Sequence, residues 1–202
     1  MTKIKICGLS RLQDIEAVNQ ALPDYIGFVF AKSRRQVDVE TAKGLKAALS
    51  PEIKAVGVFV NNSVAEIVAL AGNGTIDLIQ LHGDEDEKMI AELKKAVQLP
   101  IIKAMRIRDA SDIKKTDADY RLFDTFDASQ YGGSGACFNW ELIAAVKEDF
   151  FLAGGLKSDN IEAAINRVNP FGVDISSGVE TNGKKDRQKI IQIVEKIRRM
   201  NR

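Results

Sequence analysis

Short runs of β-branched and aromatic residues alternate along the chain with longer stretches in which apolar residues recur at helical spacing. Eight of the short runs have the length and composition of buried strands, and turn residues follow them. The predicted strands span residues 3–7, 25–30, 54–60, 78–81, 101–105, 122–124, 150–153 and 172–175. This alternation predicts a parallel sheet whose strands are joined by crossover helices.

Five of the intervening stretches have a helical pattern. They are residues 41–49, 64–71, a helix that starts in the acidic run 84–87, and residues 161–168 and 190–197. In the acidic run, Asp84 is predicted to cap the helix and Glu87 to follow in its first turn, where negative charge is favourable. The stretch 106–118 is polar, with Ile107 and Ile113 as its apolar candidates, so a loop is expected there as readily as a helix.

Eight strands with right-handed crossovers can close into a (β/α)₈ barrel, the TIM-barrel fold, and 202 residues fit one such domain. We therefore predict a single barrel domain over residues 1–202, with outer helices and a fifth helix that is weak or absent. An open, doubly wound sheet has the same periodicity. The periodicity does not separate these two folds, and the motifs described below favour the barrel.

Composition excludes several classes of protein. The formal net charge is +1 and no segment is strongly basic, which argues against a nucleic-acid partner. The longest apolar stretches, such as residues 25–31, are far too short to span a membrane. The chain begins directly with a strand pattern rather than a signal peptide, and its two cysteines, Cys7 and Cys137, are far apart and expected to be reduced. A cytoplasmic protein is expected.

In a parallel barrel, catalytic residues lie at the C-terminal ends of the strands. In the first strand, Ile4 and Ile6 share one face, while Lys5 and Cys7 share the face that would point into the barrel. Cys7 is the last inward residue before Gly8, where a thiolate would act as a base that abstracts a proton. The alternative is a small buried core cysteine, which is a common role for this residue.

Polar residues end three other predicted strands. Asp124 closes the apolar sixth strand, where it is either a general acid or a turn-forming residue. Asp127 follows three residues later and is the less favoured acid. Arg35 follows the second strand and is either a ligand for a carboxylate or a solvated loop charge. The only histidine, His82, ends the fourth strand, and we expect it to be structural or to shape the substrate site rather than to bind a metal.

Two glycine-rich stretches follow the seventh and eighth strands. They contain Gly154 and Gly155 in the first, and Ser177 and Gly178 in the second. Barrel enzymes often bind a phosphate group between these two loops and a short extra helix, because exposed backbone amides can approach its oxygens closely. The pair therefore indicates a phosphate site, although plain turns have a similar composition. A third stretch, residues 131–135 (YGGSG), is a weak signal by itself.

Eight motifs taken together resemble the phosphoribosylanthranilate isomerase family, occur in the order found in that family, and cover essentially the whole chain. They are residues 5–8 (KICG), 27–30 (GFVF) with 33–35 (SRR), 56–61 (VGVFVN), 80–83 (QLHG), 123–125 (FDT), 131–135 (YGGSG) with 138–140 (FNW), 153–156 (AGGL) and 173–180 (VDISSGVE). The family often has Pro or Lys at the position of Arg34, and Cys137 matches none of its functional positions.

The resemblance implies an Amadori rearrangement in tryptophan biosynthesis, in which N-(5-phosphoribosyl)anthranilate becomes 1-(2-carboxyphenylamino)-1-deoxyribulose 5-phosphate. It implies that Asp124 is the general acid, Cys7 the general base, and Arg35 the residue that faces the anthranilate carboxylate. His82, Gly154, Gly155, Ser177 and Gly178 are the other expected substrate-binding residues. The substrate is a small phosphosugar, no cofactor or metal is expected, and the protein is expected to be a monomer or a homodimer.

Two other functions compete with this interpretation. A ribulose-phosphate epimerase would be a related barrel, but that family resembles metal enzymes with paired histidines, and His82 is alone. A non-catalytic protein that binds a phosphorylated ligand would use the glycine-rich loops but would leave Cys7 and Asp124 without a role.

Overall fold

The computed structural model describes residues 1–126 and 137–200. Eight parallel strands form a closed barrel in which each strand pairs with its neighbours in the chain and β8 pairs with β1. The strands are β1 Lys3–Cys7, β2 Tyr25–Val29, β3 Lys54–Phe59, β4 Leu78–Leu81, β5 Ile101–Ile107, β6 Tyr120–Thr125, β7 Phe150–Leu152 and β8 Gly172–Ile175. The barrel predicted from the sequence is confirmed, and the open sheet is excluded because β8 and β1 are hydrogen-bonded partners.

Helices surround the barrel in the part of the chain that the structure describes. They are α1 Leu12–Ala21, α2 Val39–Ala47, α3 Val64–Gly72, α4 Glu87–Ala96, α5 Ile161–Val168 and α6 Arg187–Met200. After β5 there is only a 3₁₀ turn, Ala110–Asp112, so the weak fifth helix is confirmed. After β6 the described residues include a second 3₁₀ turn, Trp140–Ile143. None of the described helices is both long and apolar enough to cross a membrane.

Two features of the helices differ from the sequence-based predictions. Helix α1 was not among the predicted helices; it begins after Arg11, and buried Asp14 accepts hydrogen bonds from the backbone N–H groups of Ser10 and Arg11. The predicted cap of α4 was wrong: Asp86, not Asp84, is the N-cap residue, and its carboxylate accepts from the backbone N–H of Met89 at 3.0 Å. The two aspartates of this short run offer equivalent capping groups, and the backbone direction selects between them.

The apolar residues form two layers, as strand alternation requires. A large outer layer, which includes Ile4 and Ile6, packs between the strands and the helices. A smaller cluster fills the interior of the barrel. The interior cluster consists of Tyr25, Val56, Leu78, Ile102, Ala104, Leu122, Phe151 and Ala153. Because the interior is packed with side chains, the barrel is closed below the rim and any site must lie at one of its ends.

Two short strands extend this framework at the rim after β8. A 3₁₀ turn, Ser177–Val179, leads into β9 Glu180–Thr181, which pairs antiparallel with β10 Lys184–Lys185. Lys185 is buried, and its ammonium donates to the Ser176 carbonyl at 2.9 Å and to Glu180 at 2.7 Å. These contacts fix the segment after β8 against the end of the barrel.

Glu85, in the loop between β4 and α4, joins three segments at the same rim. Its buried carboxylate accepts hydrogen bonds from the backbone N–H groups of Asn61 and Gly83, at 2.8 and 2.9 Å. It also pairs with the Lys103 ammonium of β5 at 2.8 Å. The acidic run therefore contributes more than a helix cap, because Glu85 connects the ends of β3, β4 and β5.

We expect Glu85→Ala to lower the free energy of unfolding by about 3–5 kcal/mol, because it removes the carboxylate that pairs with the Lys103 ammonium and leaves two N–H groups without their partner. Glu92→Ala, on the exposed face of α4, is the matched control and should change stability by less than about 0.5 kcal/mol. Urea unfolding of both variants measures this difference. Equal stabilities would show that Glu85 does not anchor the rim.

Candidate active site

A cavity of about 880 Å³ opens at the C-terminal ends of the strands. It brings together most of the residues selected from the sequence, although they lie on six different strands or the loops that follow them. The lining includes Cys7, Arg35, His82, Asp124, Gly154, Gly155 and Ser177. Gly178 is not part of the lining and lies behind it, against Leu156. Asp127 and residues 131–135 fall outside the described part of the chain.

Cys7 ends β1 with its side chain directed into the barrel, as the alternation predicted. Its register partner on β2 is Gly27, where a Cβ atom would come within 2.7 Å of the Cys7 sulfur. Glycine is therefore required beside the thiol. The Ser176 hydroxyl donates to the Cys7 carbonyl at 3.1 Å and ties the end of β1 to the loop after β8.

The electrostatic surroundings of Cys7 act in opposite directions. Burial raises the pKa of the thiol above its ordinary value, because a thiolate is poorly solvated there. The ammonium groups of Lys5 and Lys185 lower this pKa, and the Asp174 carboxylate raises it further. The sum is a raised pKa. Removal of either ammonium therefore should make the thiolate harder to form.

Asp124 lies at the end of β6 on the same face as Leu122, inside the barrel. Its Oδ1 accepts a hydrogen bond from the Thr125 backbone N–H at 2.8 Å, and its Oδ2 lies 3.0 Å from Nε2 of His82. The other ring nitrogen of His82 is 2.8 Å from the Gln80 side-chain amide. Gln80, His82 and Asp124 thus form a buried chain that holds the carboxyl group in one orientation.

Arg35 lies above the end of β1, and its position depends on Gly8. A Cβ atom at Gly8 would come within 2.5 Å of the Arg35 side chain, and Gly8 has a φ of 82°. Nε and Nη2 of Arg35 donate to Glu180 at 2.7 and 3.1 Å. Burial opposes the charge of Glu180, but Arg35 and Lys185 outweigh burial and lower the pKa of this carboxyl group. Arg34 also pairs with Glu180 but is largely exposed.

The loops after β7 and β8 meet at the side of the cavity. Gly154 and Gly155 both have positive φ angles, 86° and 62°, which L side chains rarely adopt. A Cβ atom at Gly178 would overlap the carbonyl oxygen of Leu156, so glycine allows the two loops to come into contact. The expected extra helix is only the 3₁₀ turn Ser177–Val179, so backbone amides of the loops are the available anion ligands.

Several polar residues of the site were not selected from the sequence as functional residues. Among them are Gln80, Asp174, Glu180 and Lys185. Asp174 lies within the motif 173–180, but its burial and its pairing with Lys5 were not predicted. The partners of Glu180 are Arg34, Arg35 and Lys185. The sequence does show charged residues inside a predicted strand or soon after one. Such a residue can be assigned to the site only when its partner in the fold is known.

Two residues that line the cavity have a buried acceptor without a partner. Asp174 Oδ1 and Gln80 Oε1 are buried and have no protein partner among residues 1–126 and 137–200. Buried acceptors without a partner are uncommon in proteins. Within the same described ranges, no three His, Cys, Asp or Glu side chains are arranged to bind a metal ion.

Comparisons with known proteins agree on one family. The family model described as N-(5'phosphoribosyl)anthranilate (PRA) isomerase matches residues 4–196. The N-(5'-phosphoribosyl)anthranilate isomerase of Endomicrobium trichonymphae is 50% identical over 198 residues, which cover 98% of this chain and 99% of the relative. The crystal structure of phosphoribosyl anthranilate isomerase from Thermotoga maritima is 33% identical with a TM-score of 0.88, over 98% of this chain and 99% of that one.

A further solved structure shows a ligand in this type of protein. It is a phosphoribosyl anthranilate isomerase in complex with reduced 1-(o-carboxyphenylamino)-1-deoxyribulose 5-phosphate. It is 32% identical to this chain with a TM-score of 0.82, and the match covers 96% of this chain and 97% of that one.

We expect inorganic phosphate to raise the thermal unfolding midpoint, because a ligand that binds only the folded state stabilises it. Gly178→Ala should abolish this increase, since the added methyl group separates the two loops. Gly44→Ala, on an exposed helix face with no atom within 4 Å of the added Cβ, is the control and should retain the increase. Thermal scans with and without phosphate measure the effect. An undiminished increase in Gly178→Ala would place the anion elsewhere.

Proposed function

Since this chain belongs to the family of N-(5'-phosphoribosyl)anthranilate isomerases, we propose that Cys7 and Asp124 carry out the family's reaction here by general acid–base catalysis. The reaction is the isomerisation of N-(5-phosphoribosyl)anthranilate to 1-(2-carboxyphenylamino)-1-deoxyribulose 5-phosphate, a step of tryptophan biosynthesis. The observation that carries the assignment of the residues is that Cys7 and Asp124 line one cavity at the C-terminal mouth of the barrel.

Asp124 acts first, as the acid. Its protonated carboxyl group donates a proton to the ring oxygen of the furanose, the bond between that oxygen and the anomeric carbon breaks, and the nitrogen lone pair forms an iminium group. The Thr125 N–H and the His82 ring hold the two carboxyl oxygens, so the orientation of the acid is fixed before the substrate binds. In this proposal, His82 supports the acid.

Cys7 acts second, as the base. Its thiolate removes the proton from C2 of the sugar, the C–H electron pair forms the carbon–carbon double bond, and the iminium nitrogen regains its lone pair. The resulting enolamine tautomerises to the ketone of the product. Because the proton transfers balance with one acid and one base, this sequence of steps requires no cofactor and no metal.

The remaining groups hold the two ends of the substrate. The loops that contain Gly154, Gly155 and Ser177 bind the phosphate through backbone amides, and Gly178 keeps them together. Arg35 binds the anthranilate carboxylate; Glu180 already occupies Nε and Nη2, so the edge formed by Nη1 and Nη2 faces the substrate. This binding energy fixes the reacting carbon between acid and base.

Three broader expectations stay proposals. Residues 1–202 form one barrel domain, the protein works in the cytoplasm, and it is a monomer or a homodimer. The extent of the family match, residues 4–196, supports the first of these. The small phosphosugar ligand is supported by the ligand named for the solved relative described above.

We expect Cys7→Ala and Asp124→Asn each to lower kcat by at least about 10²-fold, in line with the usual contribution of a general acid or base. Cys137→Ala is the control for the thiol, because Cys137 is outside the cavity lining and should leave kcat unchanged. The assay follows consumption of fluorescent phosphoribosylanthranilate by purified protein without added metal. Near-normal turnover in either variant would remove that residue from the mechanism.

We expect Arg35→Ala to raise KM at least about tenfold with a smaller change in kcat, because it removes a charge-assisted contact to the substrate. Arg34→Ala is the matched control: it loses a contact to the same Glu180 but is largely exposed, so KM should change less than about threefold. Steady-state kinetics of the two variants show which of the neighbouring arginines binds the substrate carboxylate. Equal effects would assign no specific role to Arg35.

A further inference from the structure

Lys5 is a charged residue in the interior of the barrel that the acid–base steps above do not use. Its side chain has no exposed surface, and its Nζ lies 2.8 Å from Oδ2 of Asp174. The two residues are register partners on β1 and β8, so they face each other below the floor of the cavity. Asp174 lines the cavity, whereas Lys5 does not.

Stability alone does not explain why Lys5 and Asp174 form an ion pair inside the barrel. Desolvation of two charges costs several kcal/mol, and well-packed apolar residues often stabilise an interior equally well or better. Elsewhere the barrel interior is filled by such apolar residues, among them Val56, Leu122 and Phe151. Lys5 therefore indicates a requirement for positive charge at this place.

The neighbour that can use this charge is Cys7. Lys5 and Cys7 are two residues apart on β1, so both side chains lie on the inner face. The Lys5 ammonium donates to the Asp174 carboxylate at 2.8 Å, and its charge also favours the thiolate form of Cys7. One ammonium group thus acts on both the Asp174 carboxylate and a thiol that can ionise.

We propose that Lys5 is a positioning residue for the base, whose buried ammonium stabilises the Cys7 thiolate, while Asp174 holds that ammonium in place. The proposal rests on the proposed function, in which Cys7 removes the proton. Lys5 does not touch the substrate and acts only through Cys7. Its charge offsets part of the burial that disfavours the thiolate.

The charges around Cys7 come from several elements. Burial alone would lower the pKa of Lys5, but Asp174 and Cys7 together raise it, so the ammonium stays charged. Burial lowers the pKa of Lys185, the second ammonium near the thiol. The ionisable groups that face Cys7 or line its cavity are Lys5 on β1, Asp174 on β8, Lys185 on β10, Asp124 on β6, His82 after β4, and Arg34, Arg35 and Lys32 after β2.

The sign of the effect follows from the thiolate being the active form. On the acidic limb of the pH profile, kcat/KM is proportional to the fraction of Cys7 that is thiolate, and therefore to the acid dissociation constant of Cys7 in the free enzyme. Loss of the Lys5 ammonium removes an interaction that favours the thiolate. The pKa of Cys7 then increases, and kcat/KM at a fixed pH on this limb falls.

The test titrates Cys7 directly in a Cys137→Ser parent, by the NMR shift of isotope-labelled cysteine Cβ. Lys5→Met should lower the acid dissociation constant of Cys7 at least about tenfold, as expected for loss of an adjacent opposite charge. At a fixed pH on the acidic limb, kcat/KM should fall by the same factor. Lys3→Met is the matched control on the same strand: Lys3 is partly exposed and pairs with Asp24, so both readouts should stay unchanged.

If Lys5→Met does not fold because Asp174 is left unpaired, the double variant Lys5→Met/Asp174→Asn is compared with Asp174→Asn. The double variant should again have the smaller dissociation constant. Equal dissociation constants of Cys7, with and without Lys5 in whichever pair of proteins is compared, would overturn the proposal. The turnover of Cys7→Ala would still decide whether Cys7 is the base. A dissociation constant that falls while kcat/KM on the acidic limb stays unchanged would instead contradict the proposed function, because another group would then be the base.

Discussion

Pairing between β8 and β1 is the constraint on which the site depends. The hydrogen bonds between these strands close the barrel and place Lys5 opposite Asp174. Closure also brings the ends of all the strands to one rim, where Cys7 from β1 and Asp124 from β6 line the same cavity. In an open sheet, β1 and β8 would be separate edges, and the loops after β7 and β8 would not lie beside Cys7.

The residues inside the barrel change from apolar to polar along its axis. Near the N-terminal ends of the strands, aromatic rings such as Tyr25 and Phe151 pack edge to face at 5.7 Å. Near the rim, the same inward positions carry Lys5, Gln80, Asp124 and Asp174, all buried. Most of their polar atoms have partners, but Gln80 Oε1 and Asp174 Oδ1 do not. The apolar end stabilises the barrel, and the unpaired buried acceptors near the rim lower its stability.

The sequence was sufficient for the parts of the structure that depend on local pattern. The eight strands were found because alternation and β-branched runs are local signals, and the inward direction of Cys7 followed from the same alternation. Helix α1 was missed, since Arg11 is an unusual N-cap and its capping contacts come from Asp14. The partners of Lys5, Arg35 and Lys185 could not be foreseen, because the pairs with Asp174 and Glu180 join positions that are distant along the chain or on opposite sides of a turn.

In the proposed mechanism, acid and base approach the sugar from two sides of one mouth while the loops after β7 and β8 hold its phosphate. A crystal structure of the protein with an unreactive analogue of the product would show this arrangement. We expect the sulfur of Cys7 in contact with C2 of the sugar, the carboxyl of Asp124 on the side of the ring oxygen, and the phosphate between Gly155 and Ser177. A phosphate bound at another position, or a sugar carbon out of reach of Cys7, would contradict it.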